Sequence, residues 1–289
     1  MNCDIASETR VGARPYNEDR LGYWRTERAA LLALADGLGG HAHGDLAAEL
    51  AVRHMVDAFR LAAQPRVANP DLFLFRAFGK IHSLLCAHAR EHRLAETPRT
   101  TLVACVVQDS AAYWMHVGDS RLYLLRERGV AARTVDQTLV QELLATGRIS
   151  AQDAENHPQR NVLLQCLGGP LPPRLEPAST AKLHRGDVVL LCSDGFCGPL
   201  SSSEIGQGAP AEGLQQGLTS LAGEAESRAG AICDNLSALA LAWYGEAAHA
   251  PAAADYLTDE EIAREIKKIR RAFRLHWALY AESPERKEA

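Results

Sequence analysis

Three apolar runs in this chain each stop at an aspartate. They are residues 29–35 before Asp36, residues 113–118 before Asp119 and residues 188–193 before Asp194. Short apolar runs bounded by glycine are typical of buried strands. Asp234 stands in the mirror position, because it comes just before the apolar run 236–243. A carboxylate at the end of a rigid strand points in a fixed direction, so these four residues constrain both the fold and the chemistry.

The stretch Asp36-Gly37-Leu38-Gly39-Gly40 has two interpretations. Asp-Gly is a strong signal for a hairpin turn, and taken alone the stretch is more typical of a turn. The repeated pattern favours a second interpretation, in which several carboxylates gather at one place, and Asn17-Glu18-Asp19 adds a further acidic cluster. Gathered carboxylates repel one another unless cations lie among them, and oxygen-only ligands favour Mg²⁺ or Mn²⁺. The pattern therefore predicts metal-assisted hydrolysis.

Six short motifs occur in an order that is similar to the conserved blocks of one enzyme family. They are Arg14-Pro15-Tyr16-Asn17-Glu18-Asp19, Asp36-Gly37-Leu38-Gly39-Gly40-His41, Thr100-Thr101-Leu102, Val117-Gly118-Asp119-Ser120-Arg121, Ser193-Asp194-Gly195 and Asp234-Asn235. In these motifs the chain resembles the metal-dependent protein phosphatases of the PP2C (PPM) type, in their bacterial form. The resemblance covers residues 1–245, which is the size of one domain. It implies an α+β fold, a four-layer α-β-β-α sandwich of two antiparallel sheets flanked by helix pairs.

The resemblance also implies a metal site that holds two Mn²⁺ or Mg²⁺ ions. Asp36 is expected to bridge the two ions, with Glu18 and the Gly37 carbonyl on one side. Asp194 and Asp234 are expected to hold the other ion. A water activated between two such ions attacks phosphorus in line, so the reaction needs no covalent enzyme intermediate.

Arg14 lies in a loop, four residues before Glu18. A loop arginine is usually only a solvated charge, but its planar guanidinium also suits a phosphate dianion, and the resemblance assigns this position to phosphate binding. Together with Asp36, Asp194 and Asp234, Arg14 is therefore a predicted catalytic residue. Asp119 is the candidate for a third, weaker metal site. Gly198 stands where the family usually has an acidic residue that supports a third ion, which weakens that expectation.

The expected substrates are proteins phosphorylated on serine or threonine, and the expected partner is a bacterial Ser/Thr kinase whose products the enzyme hydrolyses. Two alternatives stay open. One is a catalytically weak PP2C-like module that binds phosphoproteins and signals through its C-terminal helix, and the other is a phosphatase for small phosphate esters. The intact set of carboxylates argues against the binding module.

Bulk properties narrow the expected partners and location. The chain of 289 residues has a formal net charge of −5, which does not favour a nucleic-acid partner. Its first residues lack the basic and apolar regions of a secretory signal, and its sequence contains no apolar run as long as a membrane span. We therefore expect a cytoplasmic protein without a membrane span.

Helical spacing of apolar residues predicts helices over residues 45–64, 71–95, 138–145 and 212–229. Ser201 is a candidate helix N-cap, because Glu204 follows it three residues later. Residues 100–126 are predicted to form a meander of three strands. Arg121 either pairs with Asp119 or is exposed, and the sequence does not decide between these.

The last part of the chain lies beyond the family resemblance. Residues 246–256 are rich in alanine and are predicted to be a linker, and residues 257–289 are predicted to form a C-terminal amphipathic helix. Its apolar residues recur every three or four positions, at Ile262, Ile266, Ile269, Phe273, Trp277 and Tyr280. The helix is expected to dock on its own domain or to bind a partner or a second copy. Attachment to a membrane surface is the least favoured alternative.

Overall fold

The computed structural model describes residues 1–38, 43–155, 157–246 and 264. Within these ranges the chain forms two five-stranded sheets in which all neighbouring strands are antiparallel. The first sheet contains, in spatial order, β1 (Asn2–Arg10), β10 (Leu236–Gly245), β9 (Val188–Cys192), β6 (Arg121–Arg126) and β7 (Gly129–Arg133). The second contains β2 (Asp19–Arg25), β3 (Ala29–Asp36), β4 (Leu102–Gln108), β5 (Ala111–Val117) and β8 (Ser179–Lys182).

The two sheets pack face to face because their central strands are apolar on both sides. Every residue of β3 before Asp36 is buried, and so is every residue of β10 from Leu236 to Trp243. Leu32 of β3 and Leu239 of β10 belong to one apolar cluster between the sheets. Because these strands are buried on both faces, their residues are almost all apolar and do not alternate with polar ones.

Helices cover the outer face of each sheet. On the second sheet lie α1 (Gly44–Ala62) and α2 (Pro70–Glu91), which share an apolar cluster with that sheet. On the first sheet lie α5 (Asp194–Cys197), α6 (Ser202–Gly208) and α7 (Leu214–Ala229). The connection between β7 and β8 carries α3 (Leu139–Ala145) and α4 (Ala151–Glu155). This arrangement confirms the predicted α-β-β-α sandwich.

Local capping sets where several helices begin. The Asn69 side chain accepts a hydrogen bond from the Leu72 N–H at 2.8 Å, and Pro70 occupies the first turn of α2. Ser201 and Glu204 form the predicted reciprocal capping box of α6. The sequence predicted helix ends less accurately. For example, α2 ends at Glu91 and not at the predicted residue 95.

The predicted three-stranded meander over residues 100–126 is wrong. The strands β4 and β5 form a hairpin in the second sheet, whereas β6 pairs with β7 and β9 in the first. Gly118 makes the crossing with a φ of 104°, and a Cβ at this position would lie 2.7 Å from the Thr101 Cγ2 atom. Only glycine tolerates that combination, so the chain changes sheets immediately before Asp119.

No helix in the described ranges has the length and apolar character needed to cross a membrane. The predicted linker at 246–256 and the predicted helix at 257–289 lie outside the described residues, apart from Glu246 and Arg264.

Candidate metal and phosphate site

Five aspartates come together at one edge of the sandwich because strand ends meet there. Asp19 starts β2 directly opposite Asp36, which ends β3. In the first sheet, Asp194 follows the end of β9 and Asp234 precedes the start of β10, its antiparallel neighbour. Asp119 lies at the crossing between the sheets. Antiparallel pairing thus brings together residues that are far apart in the chain.

A cavity of about 160 Å³ opens at this edge. Its lining includes all seven residues predicted for the site, namely Arg14, Glu18, Asp36, Gly37, Asp119, Asp194 and Asp234. The other lining residues are Leu38, Thr101, Asn161, Leu163 and Asn235. The structure therefore brings every predicted site residue to one small space. Their roles as ligands or catalysts stay predictions.

Thr101 fixes the end of strand β3 and therefore the direction of the Asp36 carboxylate. The Thr101 N–H donates to the Asp36 carbonyl at 2.8 Å, and the Asp36 N–H donates to Thr101 Oγ1 at 3.0 Å. The hydroxyls of Thr101 and Ser120 share a buried hydrogen bond of 2.7 Å. Since Ser120 follows Asp119, this network joins two acidic residues of the cavity through rigid backbone.

Asn235 fixes the loop that carries Arg14 and Glu18. Its Oδ1 accepts from the Glu18 N–H at 2.9 Å, and its Nδ2 donates to the carbonyls of Val11 at 2.8 Å and Tyr16 at 3.1 Å. The amide side chain thereby holds both ends of the loop against the start of β10. Sequence reasoning did not name Asn235 as a site residue, although its position beside Asp234 in a recognised motif was a usable signal.

Asp19 is a second residue that sequence reasoning did not assign to the site. The Ser193 hydroxyl donates to its Oδ2 atom at 2.8 Å, whereas its Oδ1 atom is buried and has no hydrogen-bond partner among the described residues. Burial raises the pKa of Asp19 to about 7, and hydrogen bonds from Ser237 and Ser193 oppose that rise. A buried carboxylate oxygen without a donor, next to the predicted ligand Glu18, fits the surroundings of a hydrated cation.

Burial and mutual repulsion also raise the pKa values of carboxyls that line the cavity. Burial, followed by repulsion from Asp19 and Asp194, holds the pKa of Asp36 well above its ordinary range. Burial and the charge of Asp194 raise the pKa of Asp119 to about 8. The pKa of Asp194 is raised by burial and by the charge of Asp234. Carboxyls that resist ionising together are stabilised as anions by a nearby cation.

The donor set suits hard divalent cations. The cavity offers carboxylate, amide, hydroxyl and backbone oxygens, and its described lining contains neither His nor Cys. Mg²⁺ and Mn²⁺ accept such oxygens and keep several waters of their own. Across the ranges that the structure describes, no three His, Cys, Asp or Glu side chains are placed so that they could hold a metal ion by themselves. The ligand set that the family resemblance implies also includes a backbone carbonyl, that of Gly37.

Two further sequence questions have structural answers. Arg121 pairs with Asp136, through Nε at 2.7 Å and Nη2 at 2.6 Å, and not with Asp119. Gly198 caps the short helix α5, where its N–H donates to the Asp194 carbonyl at 2.6 Å, and it does not line the cavity. Position 198 therefore contributes no carboxylate to a third ion.

Comparison with known proteins identifies the family. The sequence model described as Protein phosphatase 2C matches residues 9–234 of this chain. The serine/threonine phosphatase Stp of Listeria monocytogenes is 34% identical over 195 residues, which cover 66% of this chain and 77% of that protein. The protein phosphatase PhpP of Streptococcus pneumoniae is 33% identical over 206 residues, with 70% and 82% covered.

Solved structures agree with these sequence relatives. The serine/threonine phosphatase Stp1 from Staphylococcus aureus superimposes with a TM-score of 0.77 at 26% identity, covering 85% of this chain and 96% of that one. The catalytic domain of the phosphatase PstP, solved in complex with two manganese ions, gives a TM-score of 0.68 at 28% identity, with 84% and 99% covered. The chain therefore belongs to the protein phosphatase 2C family, as its sequence motifs predicted.

Proposed function

We propose that this chain hydrolyses phosphoserine and phosphothreonine monoesters on proteins, using a site for two Mn²⁺ or Mg²⁺ ions. As a member of the protein phosphatase 2C family, it is a protein serine/threonine phosphatase. The observation that carries the proposed chemistry is a single cavity that combines an arginine with acidic residues from both sheets. The proposed metal ligands are Glu18, Asp36, the Gly37 carbonyl, Asp194 and Asp234.

The position of each ligand follows from the sheet that carries it. Glu18 and Gly37 flank the paired ends of β2 and β3, so they belong to the second-sheet side of the cavity. Asp194 and Asp234 belong to the first-sheet side. Asp36 feels the charges of acidic groups on both sides, which suits it to bridge two cations. When bound, two such cations supply Lewis acidity and a water activated for in-line attack at phosphorus.

Arg14 is the proposed phosphate-binding residue. Its guanidinium lies at the rim of the cavity, where 51% of the side chain is exposed. A guanidinium in this position donates two parallel N–H bonds to phosphate oxygens and offsets the negative charge that grows in the transition state. Thr101, the hydroxyl residue of the described lining, already shares its hydroxyl with Ser120 and the Asp36 N–H. A water nucleophile therefore fits this site better than a covalent enzyme intermediate.

Two finer points belong to the same proposal. Asp119 is the candidate ligand for a third ion, and we expect weak binding there because position 198 supplies no carboxylate. The phosphomonoesters that the enzyme consumes are the products of protein Ser/Thr kinases, so we propose that it opposes such a kinase.

Phosphate release from a phosphothreonine peptide tests the proposal directly. The assay compares Mn²⁺, Mg²⁺ and EDTA for the wild type, for Asp194→Asn and for Asp57→Asn, a matched control at an exposed carboxylate of α1. We expect metal-dependent release in the wild type and the control. The rate of phosphate release by Asp194→Asn should fall by more than the ~10–100-fold that loss of an outer-shell partner costs. Folded protein that binds the peptide but releases no phosphate with either metal would instead support a phosphoprotein-binding module.

A further inference from the structure

A groove of about 480 Å³ runs between α1 and α2, and it shares no lining residue with the acidic cavity. Ala58 and Ala62 of α1 face Phe73 and Ala77 of α2 across it. The small side chains leave the space open, and Phe73 packs edge-on against the buried Phe59 at 5.8 Å, so the floor of the groove is anchored in the core. Its lining is mainly apolar, which suits an apolar occupant rather than bulk water alone.

Glu246, the last residue of the described range 157–246, is connected to this groove by a relay of side-chain contacts. Glu246 follows strand β10, and its Oε1 atom accepts a hydrogen bond from the Ser110 N–H at 2.8 Å. Two residues earlier, the Gln108 side chain donates to the Val67 carbonyl at 3.0 Å and accepts from the Val67 N–H at 3.1 Å. Val67 itself lines the groove. These contacts place the start of the C-terminal segment beside the groove.

The length of the remaining chain fits the groove. Residues 247–256 can span at most ~33–36 Å when extended. The wall that α2 contributes, from Asn69 to Lys80, is about 16 Å long at the helical rise of 1.5 Å per residue. A segment that begins at residue 257 therefore reaches any part of the groove of its own chain.

The C-terminal sequence offers a matching apolar surface. Ile262, Ile266, Ile269 and Phe273 fall on one side of a helix at this spacing. Arg264 is helical and exposed, and in a helix spanning residues 262–273 a rotation of about 100° per residue would place it opposite that apolar stripe. An exposed Arg264 is therefore the orientation expected if the stripe faces protein.

The charges at the edge of the groove are opposite to those beside the apolar stripe of the C-terminal segment. Arg76 and Lys80 are exposed residues of α2 that line it. Glu261 and Glu265 are one turn apart and stand beside the apolar stripe of the C-terminal segment. Acidic residues on that flank complement the basic side of the groove.

We propose that the C-terminal segment, residues 257–289, docks in the groove between α1 and α2 of its own chain. The stripe from Ile262 to Phe273 lies inward, and Glu261 and Glu265 lie towards Arg76 and Lys80. The docked segment covers apolar surface of α1 and α2 that would otherwise contact water. This inference is independent of the proposed phosphatase chemistry.

Photo-crosslinking in the full-length chain tests the docking. The substitution Ala62→p-benzoylphenylalanine puts a crosslinker in the groove, and Gln216→p-benzoylphenylalanine puts one on the exposed surface of α7 as a control. We expect mass spectrometry to find crosslinks from position 62 to peptides of residues 257–289 at the mass of a monomer. Position 216 should give no such crosslinks.

Variants on both sides of the contact make the test decisive. Combining Ile266→Asp with Phe273→Asp should lower the crosslink yield at least tenfold. Arg76→Glu should also lower the yield, and adding Glu265→Arg to that variant should restore it. Circular dichroism checks that each variant is folded. Crosslinks that form only as covalent dimers would overturn docking within one chain, because a second copy would then be the occupant. A yield that Ile266→Asp with Phe273→Asp leaves unchanged would also overturn it, as would the absence of tail crosslinks from position 62.

Discussion

Arg14 donates a hydrogen bond from its Nη2 atom to Asp234 Oδ2 at 2.6 Å. The two side chains are 51% and 39% exposed, so the pair lies at the solvent-facing rim of the cavity that both residues line. The hydrogen bond and charge of Asp234 raise the pKa of Arg14 above its ordinary value. The residue proposed to bind phosphate is thus positioned by a residue proposed to bind metal. Under the proposed function, phosphate recognition and metal binding would share this contact.

Arg14→Ala should weaken catalysis more than it weakens metal binding. Loss of charge-assisted hydrogen bonds worth about 1.5–3 kcal/mol corresponds to a ~10–100-fold fall in kcat/KM. Arg14→Lys should recover part of the loss, because a lysine keeps the charge but not the planar fork. Steady-state kinetics on a phosphothreonine peptide, with Arg53→Ala as an exposed control on α1, measure both effects. An unchanged kcat/KM in Arg14→Ala would remove Arg14 from the phosphate site.

Metal affinity should fall as the pH is lowered from 8 to 6. Burial raises the pKa of Asp119 to about 8 and that of Asp19 to about 7, so protons compete with cations for the cavity in this range. Each proton that metal binding displaces lowers the apparent affinity by up to ~10-fold per pH unit. Calorimetric titration with Mn²⁺ at several pH values measures the trend. An affinity independent of pH would show that the perturbed carboxyls do not face the bound ions.

The metal-free protein should become less stable as the pH rises, whereas ordinary ion-paired carboxylates make a protein more stable as the pH rises. The pKa of Asp19 rises from 3.8 to about 7, so the folded state holds a proton that the unfolded state has released. The stability linked to that proton is complete below pH 3.8 and is lost as the pH rises through about 7. Buried His82, whose pKa is lowered to about 4, gives the opposite trend below its ordinary value of 6.5.

Thermal unfolding in EDTA between pH 7 and 8 isolates the acidic cluster, since ordinary histidines are mostly neutral there. We expect the Tm of the wild type to fall across this window and the Tm of Asp19→Asn to fall less. Mn²⁺ should raise the wild-type Tm most at pH 8. A wild-type Tm that rises with pH under these conditions would contradict the raised pKa values.

Much of the fold and site was readable from sequence because the signals are local. The apolar runs before Asp36 and Asp194 fix both the strands and the positions of these carboxylates. The predicted helix cap at Ser201 likewise depends on Glu204, three residues away. Recognition of the motif order then supplied the four-layer architecture, which local patterns alone leave undetermined.

The features that sequence reasoning missed depend on contacts between distant segments. Asp19 accepts a hydrogen bond from Ser193, which is 174 residues away and directly follows strand β9 of the other sheet. The apolar run in β6 predicts a strand but not which sheet it joins, so the crossing at Gly118 was not foreseen. Arg121 had an acidic neighbour at Asp119, yet its bidentate partner is Asp136, which only the fold brings near.

Gly44→Ala tests how closely α1 must approach the metal site. A Cβ at this position would lie 2.9 Å from Glu18 Oε1 and 3.0 Å from the Gly37 carbonyl carbon, both in proposed ligands. In a helix interior this substitution ordinarily adds up to about 1 kcal/mol of stability, and Gly44, as the first residue of α1, gains only part of it. Here we expect little change in Tm in EDTA, because the helical gain offsets the new contact, and a ~10-fold weaker affinity for Mn²⁺ because Glu18 must shift.

Gly129→Ala is the matched control, since a Cβ there would lie at an ordinary 3.6 Å from the Arg126 carbonyl oxygen. It should leave the affinity for Mn²⁺ unchanged. Calorimetry of both variants separates a local effect on Glu18 from a general effect of losing a glycine. If Gly44→Ala also keeps the wild-type affinity, the contact between α1 and Glu18 does not position a metal ligand, and the ligand assignment on the second-sheet side of the cavity fails.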